Sequence, residues 1–544
     1  MKKYQLFLLS FLSGILLSLG WPAGGFPMIL FIGFIPFLFI EDHIFKNKKS
    51  FTKLSILLYT YPGMLTWNLL TTWWVYNSTV VGSILAFTIN SLFMAVVLNV
   101  FHLIRRRIST NNSIWILPFI WIAFEFHHLD WDLTWTWLTL GNGFASYYKW
   151  IQWYEYTGVF GGSFWILCLN IFIFLFLKNF VFQKGIRKKL IINGSVIIAI
   201  IIIPIIFSYY KYSSYVEKTN PKNFVVVQPN IDPYNEKFSS MPSKKQVQIM
   251  LDLARQKTDQ KTDFVIFPET AITDGIWEDE LKISTNIFLI RKFIKDYPNS
   301  NVIIGLISHR MYKKGEPISS TARKYDKLAE KSPYYDIYNT ALLIDSTKKI
   351  QIYHKSKLVP GVEKMPFPKV LKPLEKYAIE LGGSSGSFGI QEERTPFTIN
   401  YKMKIAPIIC YESVYGEFVT KYIQNGAELL VIITNDGWWG DTPGYRQHFN
   451  YARLRAIETR RSIARSANTG ISSFINQRGD DFESTKWWEP KAISASLNAN
   501  DEITFYVKYG DYIGRIAYYF SIFLVFFAII SWVIKKFKKG SVQS

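Results

Sequence analysis

The chain is 544 residues long, 49% of its residues are hydrophobic, 17% are aromatic, and its formal net charge is +21. A single water-soluble domain rarely combines so apolar a composition with 62 basic residues. We therefore expect membrane spans joined to a polar domain that buries its own core. The two cysteines are Cys168, in an apolar stretch, and Cys410, in the polar part, so no disulfide bond is expected.

Apolar stretches occupy much of the first 215 residues and return near the C-terminus. They lie at 4–20, 26–40, 54–75, 80–104, 113–126, 157–177, 190–209 and 517–534. Most approach the ~20 residues that cross a bilayer core. We expect eight spans, of which 26–40 and 113–126 are short enough to be re-entrant or tilted. Because further spans follow the first stretch, it is not expected to be a cleaved signal peptide.

Basic residues between these stretches predict the orientation in the membrane. If the N-terminus is cytoplasmic, the cytoplasmic segments hold 18 basic residues, and the three short loops on the other side hold only Lys149. The 18 residues are Lys2, Lys3, Lys46, Lys48, Lys49, Lys53, Arg105, Arg106, Arg107, Lys178, Lys184, Arg187, Lys188, Lys189, Lys535, Lys536, Lys538 and Lys539. This asymmetry predicts cytoplasmic termini and an extracytoplasmic polar domain. Since these flanks carry most of the positive charge, the composition does not indicate nucleic-acid binding.

The pattern divides the chain into three blocks: a membrane domain at 1–215, a polar domain at 216–512, and a final span with a cytoplasmic tail at 513–544. The polar domain alternates helical patterns with short apolar runs, as expected of strands that are buried on both faces. We expect an α/β fold with helices packed outside two sheets. The aromatic loop at 127–156 is typical of an interfacial belt, re-entrant or lying on the surface, or of a lipid-facing entrance. The segment at 361–380, rich in Pro and Lys, is a candidate gate.

Three predicted strands end at reactive side chains, namely Glu269, Lys355 and Cys410. Ends of neighbouring strands converge in α/β enzymes. A desolvated carboxylate can take the proton of a thiol, and an ammonium can stabilise the oxyanion that forms when a thiolate attacks a carbonyl. Each residue also has a simpler interpretation, because a lone cysteine is often a small buried hydrophobe and a strand-end Glu or Lys is usually solvated. The three residues alone leave the choice open.

Longer motifs surround these residues. They are Phe267-Pro268-Glu269; Lys355 followed by Leu358-Val359-Pro360 and Glu363; Cys410-Tyr411-Glu412; Thr434 to Asp441; Arg455 to Thr459; Asn468 to Ser472; and, among the spans, Thr136 to Gly141 and Gln152 to Gly158. Together they resemble the motifs of the nitrilase superfamily and, within it, of the bacterial apolipoprotein N-acyltransferases. The resemblance covers nearly the whole chain.

The resemblance implies an α-helical membrane bundle of about eight spans that carries an α/β nitrilase-like αββα sandwich. It implies Glu269 as general base, Lys355 as oxyanion stabiliser and Cys410 as nucleophile. The implied supporting residues are Glu363, a second carboxylate beside the base, Tyr411 and Glu412, which flank the nucleophile, and Phe238, where the family often has Trp. The chain departs from the family at 360–362, where Phe-Gly is usual, and at Lys357, where His is more usual.

The implied activity transfers a fatty acyl chain from a phospholipid, through a thioester on Cys410, to the α-amine of the S-diacylglyceryl-cysteine of an apolipoprotein. The expected partners are these two lipid substrates. No cofactor, metal or nucleic acid is expected, and the expected location is the bacterial inner membrane, with the catalytic domain on the periplasmic face.

Two alternatives remain. A membrane-tethered amidase or nitrilase would use the same triad on a small C–N substrate and would tolerate removal of the membrane block. A transporter or scaffold would be favoured by charged residues within the spans, of which Glu125 is nearly the only one.

Overall fold

The computed structural model describes residues 1–108, 110–183, 187–326, 332–365, 367, 387–400 and 402–540. Its contacts divide the chain into two units. The first comprises Met1–Trp73, Ser83–Ser214 and Tyr509–Ser544, and the second comprises Trp74–Gly82 and Tyr215–Lys508. The short segment Trp74–Gly82 thus packs with the polar part of the chain, although it lies among the predicted spans. Most of the candidate gate, residues 366 and 368–380, lies outside the described residues.

The first unit is helical. Its helices are α1 (Lys3–Leu19), α2 (Leu30–Gly33), α3 (Ile35–Lys46), α4 (Ser55–Thr72), α5 (Val80–Ile108), α6 (Leu117–His127), α7 (Tyr154–Gln183), α8 (Arg187–Ser214) and the last helix of the chain, α14 (Tyr512–Gly540). Each of the eight predicted apolar stretches is helical. Within the described residues, five helical segments are long and apolar enough to cross a membrane: Pro27–Lys46, Val80–Ile108, Tyr154–Phe180, Ile191–Ser214 and Tyr512–Ile534. The helical segment Pro27–Lys46 is longer than the apolar stretch predicted at 26–40, because α3 continues to Lys46.

Charged side chains are buried towards the ends of three of these helices. Glu41 of α3 pairs with Arg105 of α5, and its Oε1 atom lies 2.8 Å from the Nδ1 atom of His102, which is also on α5. Asp42 pairs with Lys178 of α7 at 2.7 Å. Charged groups are costly in apolar surroundings unless they are paired. Arg105 and Lys178, which the sequence pattern assigned to the flanks of the spans, therefore join α5 and α7 to α3 through these ion pairs.

The aromatic loop predicted at 127–156 contains two 3₁₀ segments, Thr136–Leu138 and Leu140–Trp150. Residues 136–145 are all buried. Glu125 on α6 holds this segment, since its Oε1 atom accepts hydrogen bonds from the Leu140 backbone at 2.8 Å and from Trp121 Nε1 at 2.9 Å. Residues 136–145 therefore pack inside the first unit, as a re-entrant segment would.

The second unit contains two β-sheets. The first consists of β1 (Pro221–Gln228), β2 (Phe264–Ile266), β3 (Ile272–Trp277), β4 (Asn301–Met311), β5 (Arg323–Lys324), β6 (Tyr334–Ile344), β7 (Ile350–His354) and β14 (Lys491–Asn498). The order is β14-β1-β2-β4-β6-β5, with β3 paired to β4 and β7 paired to β6. The second consists of β8 (Phe397–Ile399), β9 (Met403–Ile409), β10 (Leu429–Thr434), β11 (Ile463–Ala467), β12 (Ser473–Ile475) and β13 (Asp481–Phe482), in the order β13-β12-β11-β10-β9-β8.

Helices cover the outer faces of these sheets. They are α9 (Ser243–Arg255) and α10 (Thr285–Asp296) on the first sheet, and α11 (Gly416–Gln424) and α12 (Pro443–Thr459) on the second, followed by the short α13 (Phe505–Tyr509). The apolar sides of α9 and α10 and the outer faces of β1, β2 and β4 form one core. The inner faces meet where Ser466 Oγ donates to the Val227 carbonyl at 2.8 Å. This arrangement confirms the predicted αββα sandwich.

Parallel pairing brings strand ends together. Strand β2 runs parallel to β1 and β4, and β9 runs parallel to β10. The chain therefore leaves these buried strands at one edge of each sheet, which is where side chains from distant positions converge.

Candidate active site

Glu269 and Lys355 reach the candidate site through tight backbone contacts. Lys355 directly follows β7, and its backbone N–H donates to the Asn339 carbonyl on β6 at 2.8 Å. The loop after β2 lies against Gly305 of β4, where a Cβ atom would come within 2.7 Å of the Glu269 Cα atom. Only glycine allows so close an approach. Gly305 also donates its N–H to the Pro268 carbonyl at 3.1 Å.

The ammonium of Lys355 lies between two carboxylates. Its Nζ atom is 3.0 Å from Glu269 Oε1 and 2.8 Å from Glu363 Oε1. Asn339 Nδ2 donates to the same two oxygens at 2.7 and 2.9 Å. All four side chains are buried. Burial alone would lower the pKa of Lys355, but the charges of Glu269 and Glu363 raise it well above its ordinary value, so Lys355 is a cation.

Both carboxylates are also held through their second oxygens. Asn435 donates its backbone N–H to Glu269 Oε2 at 3.1 Å, and Val359 donates to Glu363 Oε2 at 2.9 Å. The loop that carries Glu363 turns at Gly361, where φ is +78°. The departure from the usual Phe-Gly thus still brings Glu363 to Lys355.

Cys410 directly follows β9 and begins a 3₁₀ turn, Cys410–Val414. Its φ of +50° is uncommon for a non-glycine residue, and such strain persists only where neighbours enforce it. Burial raises the pKa of its thiol well above the ordinary value, and the charge of Glu269 acts in the same direction, whereas Lys355 and a hydrogen bond with Thr434 lower it. The resting thiol is therefore protonated and needs a base. Neither Cys410 nor Cys168 forms a disulfide bond.

Glu412 connects the neighbours of Lys355 and Cys410. One of its oxygens accepts the backbone N–H of Ile409 at 2.8 Å. The other accepts the backbone N–H of Ser356 at 2.6 Å and the hydroxyl of Tyr353 at 2.7 Å. Because Ser356 follows Lys355 and Ile409 precedes Cys410, one buried carboxylate fixes the ends of β7 and β9 relative to each other. The sequence placed Glu412 beside the nucleophile but gave no sign of this bridge.

Glu412 should make the stability of the second unit depend on pH. Burial raises its pKa to about 7 from 4.5, although the N–H groups of Ile409 and Ser356 oppose the rise. The folded chain therefore holds a proton that the unfolded chain releases above about pH 4.5. The stabilisation that results from this raised pKa is complete below about pH 4.5 and is lost as the pH rises towards 7. The free energy of unfolding should fall by roughly 3 kcal/mol over this range.

The variant Glu412→Gln removes this titration. We expect its thermal midpoint in detergent to vary less between about pH 5 and 7 than that of the wild type. The prediction concerns this change with pH and not the absolute value of the midpoint. Equal slopes in the two proteins would contradict the prediction.

A second buried network supports the backbone of Cys410. Asp436 Oδ2 accepts from Arg465 Nη2 at 2.6 Å, and its Oδ1 atom lies 2.9 Å from His448 Nδ1. His448 Nε2 lies 3.2 Å from the Cys410 carbonyl oxygen. Burial would raise the pKa of Asp436, but Arg465 and His448 lower it to about 2, so the carboxylate is ionised. Sequence reasoning missed His448 and Arg465; the only signal was that Asp436 lies in a familial motif.

The other predicted residues lie around this centre. Tyr411 is buried and meets Tyr415 edge-on, with 5.2 Å between ring centroids. Phe238 is half-buried and stacks on Trp438 at 5.7 Å. Its neighbour Lys237, to which the sequence motifs assigned no role, is buried and lies close enough to Glu269 for the two charges to interact. Burial nevertheless lowers the pKa of Lys237 to about 7.

Among the described residues, no group of three or more His, Cys, Asp or Glu side chains is arranged to hold a metal ion. The site is instead built from an ammonium, two carboxylates and a thiol. Such a set can remove a proton from the thiol and stabilise the oxyanion of an acyl transfer.

Known families match both parts of the chain. The carbon-nitrogen hydrolase family matches residues 226–504, and the apolipoprotein N-acyltransferase N-terminal domain matches residues 13–172. An apolipoprotein N-acyltransferase of Chlorobaculum tepidum is 30% identical over 522 residues, which cover 94% of each chain. This chain belongs to the apolipoprotein N-acyltransferase family. The family predicted from the motifs is thereby confirmed.

Two further proteins resemble this chain. An apolipoprotein N-acyltransferase of Geobacter metallireducens is 27% identical over 517 residues, covering 93% of this chain and 92% of the relative. Among solved structures, Saccharomyces cerevisiae Nit3, a member of the nitrilase superfamily, matches with a TM-score of 0.34 and 15% identity, over 52% of this chain and 91% of that one. Family membership and the apolar helices make this chain a membrane-bound acyltransferase with a nitrilase-like domain.

Proposed function

We propose that the protein moves a fatty acyl chain from a phospholipid to the α-amine of the N-terminal S-diacylglyceryl-cysteine of apolipoproteins. The observation that carries this proposal is the buried ammonium of Lys355, which is held between Glu269 and Glu363 and is close enough to Cys410 to lower the pKa of its thiol. Family membership supplies the class of reaction. The membrane-bound lipid substrates explain why such a domain belongs to a chain with many apolar helices.

In the first half-reaction, Glu269 takes the proton of the Cys410 thiol, and the sulfur attacks the carbonyl carbon of a phospholipid ester. Lys355 stabilises the oxyanion. When this intermediate collapses, the ester C–O bond breaks and the leaving alkoxide takes the proton from Glu269. The products are a lysophospholipid and a thioester on Cys410.

In the second half-reaction, the α-amine of the diacylated cysteine attacks the thioester carbonyl. Glu269 takes a proton from the amine, Lys355 again stabilises the oxyanion, and the C–S bond breaks as the amide forms. The sulfur of Cys410 recovers the proton from Glu269. Asn339 and Asn435 keep the carboxylate of Glu269 oriented through both steps. The supporting roles fall to Glu363, Glu412, Tyr411 and Phe238, and no cofactor takes part.

This function requires the catalytic domain to face the lipoprotein substrates. We propose that residues 1–215 form the membrane domain, that 216–512 form a periplasmic catalytic domain, and that 513–544 form a final span with a cytoplasmic tail. The bacterial inner membrane is the expected location, with both termini in the cytoplasm. The asymmetric distribution of basic residues between the loops supports this orientation.

Transfer of a labelled acyl chain tests the proposal. The full-length protein is incubated in mixed micelles with a phospholipid that carries a radiolabelled acyl chain, first without an acceptor and then with a diacylated lipopeptide. We expect a hydroxylamine-sensitive label on the wild type that moves to the lipopeptide. The variant Cys410→Ala should take up no label.

The second cysteine provides a matched control. Cys168→Ala should behave like the wild type, because Cys168 lies on α7, in the other unit. A protein that transfers no label but rapidly hydrolyses small amides would support the amidase alternative. Label that persists in Cys410→Ala would contradict the assignment of the nucleophile.

A further inference from the structure

The connection from α4 to α5, together with the first residues of α5, packs against the polar domain. This 74–82 segment, Trp74–Gly82, clusters with residues of the second unit. Trp74 is only 1% exposed, and its ring meets that of Trp439 edge-on, with 4.9 Å between centroids. Gly444, at the start of α12, lies flat against the same indole, because a Cβ atom there would come within 2.5 Å of it. The contact surface for Trp74 therefore depends on a glycine.

Hydrogen bonds hold the same segment to the loop after β10. Asn77 Nδ2 donates to the Trp439 carbonyl at 2.8 Å. The hydroxyl of Tyr234 lies 2.8 Å from two carbonyl oxygens, those of Asn77 and Trp438. Its single proton can serve one of them at a time. The backbone at Trp438 and Trp439 is thus held from two sides, by Asn77 and by Tyr234.

The loop that is held in this way leads to the nucleophile. The ring of Trp439 meets the imidazole of His448 edge-on, with 5.5 Å between centroids. His448 Nε2 in turn lies 3.0 Å from Ser413 Oγ and 3.2 Å from the Cys410 carbonyl oxygen. At its other end the loop begins with Asn435, whose N–H holds Glu269.

We propose that the 74–82 segment is a positioning element of the active site. It fixes Trp439 and, through His448, supports the backbone of Cys410 at its positive φ, so that the thiol reaches its reactive geometry only when the segment is docked. A backbone conformation of this kind persists only while its surroundings enforce it. The inference rests on the proposed role of Cys410 as nucleophile. It implies that a polar domain expressed without its spans would lack part of its site.

Two variants of the full-length protein test this role. Asn77→Ala removes the bond to Trp439, and Tyr234→Phe removes a hydroxyl but keeps the ring that packs on Trp438 at 5.2 Å. Alkylation by iodoacetamide, followed by mass spectrometry of the cysteine-containing peptides, reports the reactivity of Cys410 without any acyl substrate and separates it from Cys168. We expect each variant to slow alkylation of Cys410 about fivefold, as expected for the loss of one hydrogen bond of ordinary strength.

Controls separate positioning from general damage. Alkylation of Cys168 should not change. Tyr76→Ala changes an exposed residue of the same segment that takes no part in the bonds of Asn77 and Tyr234 described above, and it should react like the wild type. In the double variant the effects should be less than multiplicative, since both residues hold one loop. The rate of thioester formation should fall in proportion to alkylation, while KM for the phospholipid stays constant.

Two outcomes are decisive. If Cys410 is alkylated at the wild-type rate in both variants but their thermal midpoint is lowered, the contact is merely structural and the inference is overturned. If the wild type transfers no acyl chain but the variants still slow alkylation, the proposed function fails and the positioning role stands.

Discussion

Lys355→Met is expected to reduce the rate of thioester formation about 10²–10³-fold, because it removes the cation that stabilises the oxyanion. It should also destabilise the fold. Without the ammonium, Glu269 and Glu363 remain buried and share the amide of Asn339. Breaking a buried ion pair in this way costs about 3–5 kcal/mol in the free energy of unfolding. Single-turnover labelling from phospholipid and unfolding in detergent measure the two effects separately.

A double variant distinguishes catalysis from charge balance at this position. Lys355→Met combined with Glu363→Gln removes one positive and one negative charge from the cluster. We expect this protein to regain much of the lost stability and none of the lost activity. If acyl transfer returned together with stability, Lys355 would serve only to neutralise the carboxylates, and its proposed role at the oxyanion would be wrong.

Glu269→Gln is expected to slow thioester formation by about 10²–10⁴-fold, because an amide cannot accept the proton of the thiol. Structural damage should be small. The amide oxygen can still accept from Lys355 and Asn339, whereas the amide nitrogen would face the N–H of Asn435, at a cost of about 1–3 kcal/mol. Single-turnover rates across a range of pH measure the effect.

The pH dependence provides the clearest sign of a lost base. Burial raises the pKa of Cys410, so without Glu269 the thiolate must form by ionisation to solvent. The residual rate of Glu269→Gln should then rise about tenfold for each unit of pH below that raised pKa. Glu269→Asp keeps a carboxylate and should keep the shape of the wild-type profile at a lower rate. A wild-type profile in Glu269→Gln would assign the base to another group.

Strands β2 and β9 could be predicted because their apolar runs are buried and stop abruptly, shortly before Glu269 and directly before Cys410. Strand β7 is mostly half-buried and contains Gln351, so only a short β-type pattern indicated the strand that ends before Lys355. The family could be recognised because its motifs lie at these strand ends. The roles of the individual residues remain predictions.

Other elements gave no local signal. Strand β11 contains Arg465 and Ser466 in place of an apolar run, and it is buried because Arg465 pairs with Asp436 on the neighbouring strand end. Periodicity cannot reveal a charge that is neutralised from another part of the chain. The hydrogen bond from Asn77 to Trp439 joins residues that are 362 positions apart in the sequence. Trp74 lies at the end of a predicted apolar stretch, and the pattern gives no sign of its contact with the second unit. Contacts of this kind appear only once the chain has folded.

The buried ion pairs between α3, α5 and α7 have a consequence for how the protein is made. Glu41 lies 64 residues before Arg105, whereas Asp42, which lies 136 residues before Lys178, also pairs with Lys46 of its own helix at 2.8 Å. Since ribosomes build the chain from its N-terminus, α3 emerges before the Arg105 partner of Glu41 exists. An unpaired carboxylate enters lipid reluctantly, so α3 should insert fully only when α5 can supply that partner. The order in which these two helices are translated should then influence the order in which they assemble.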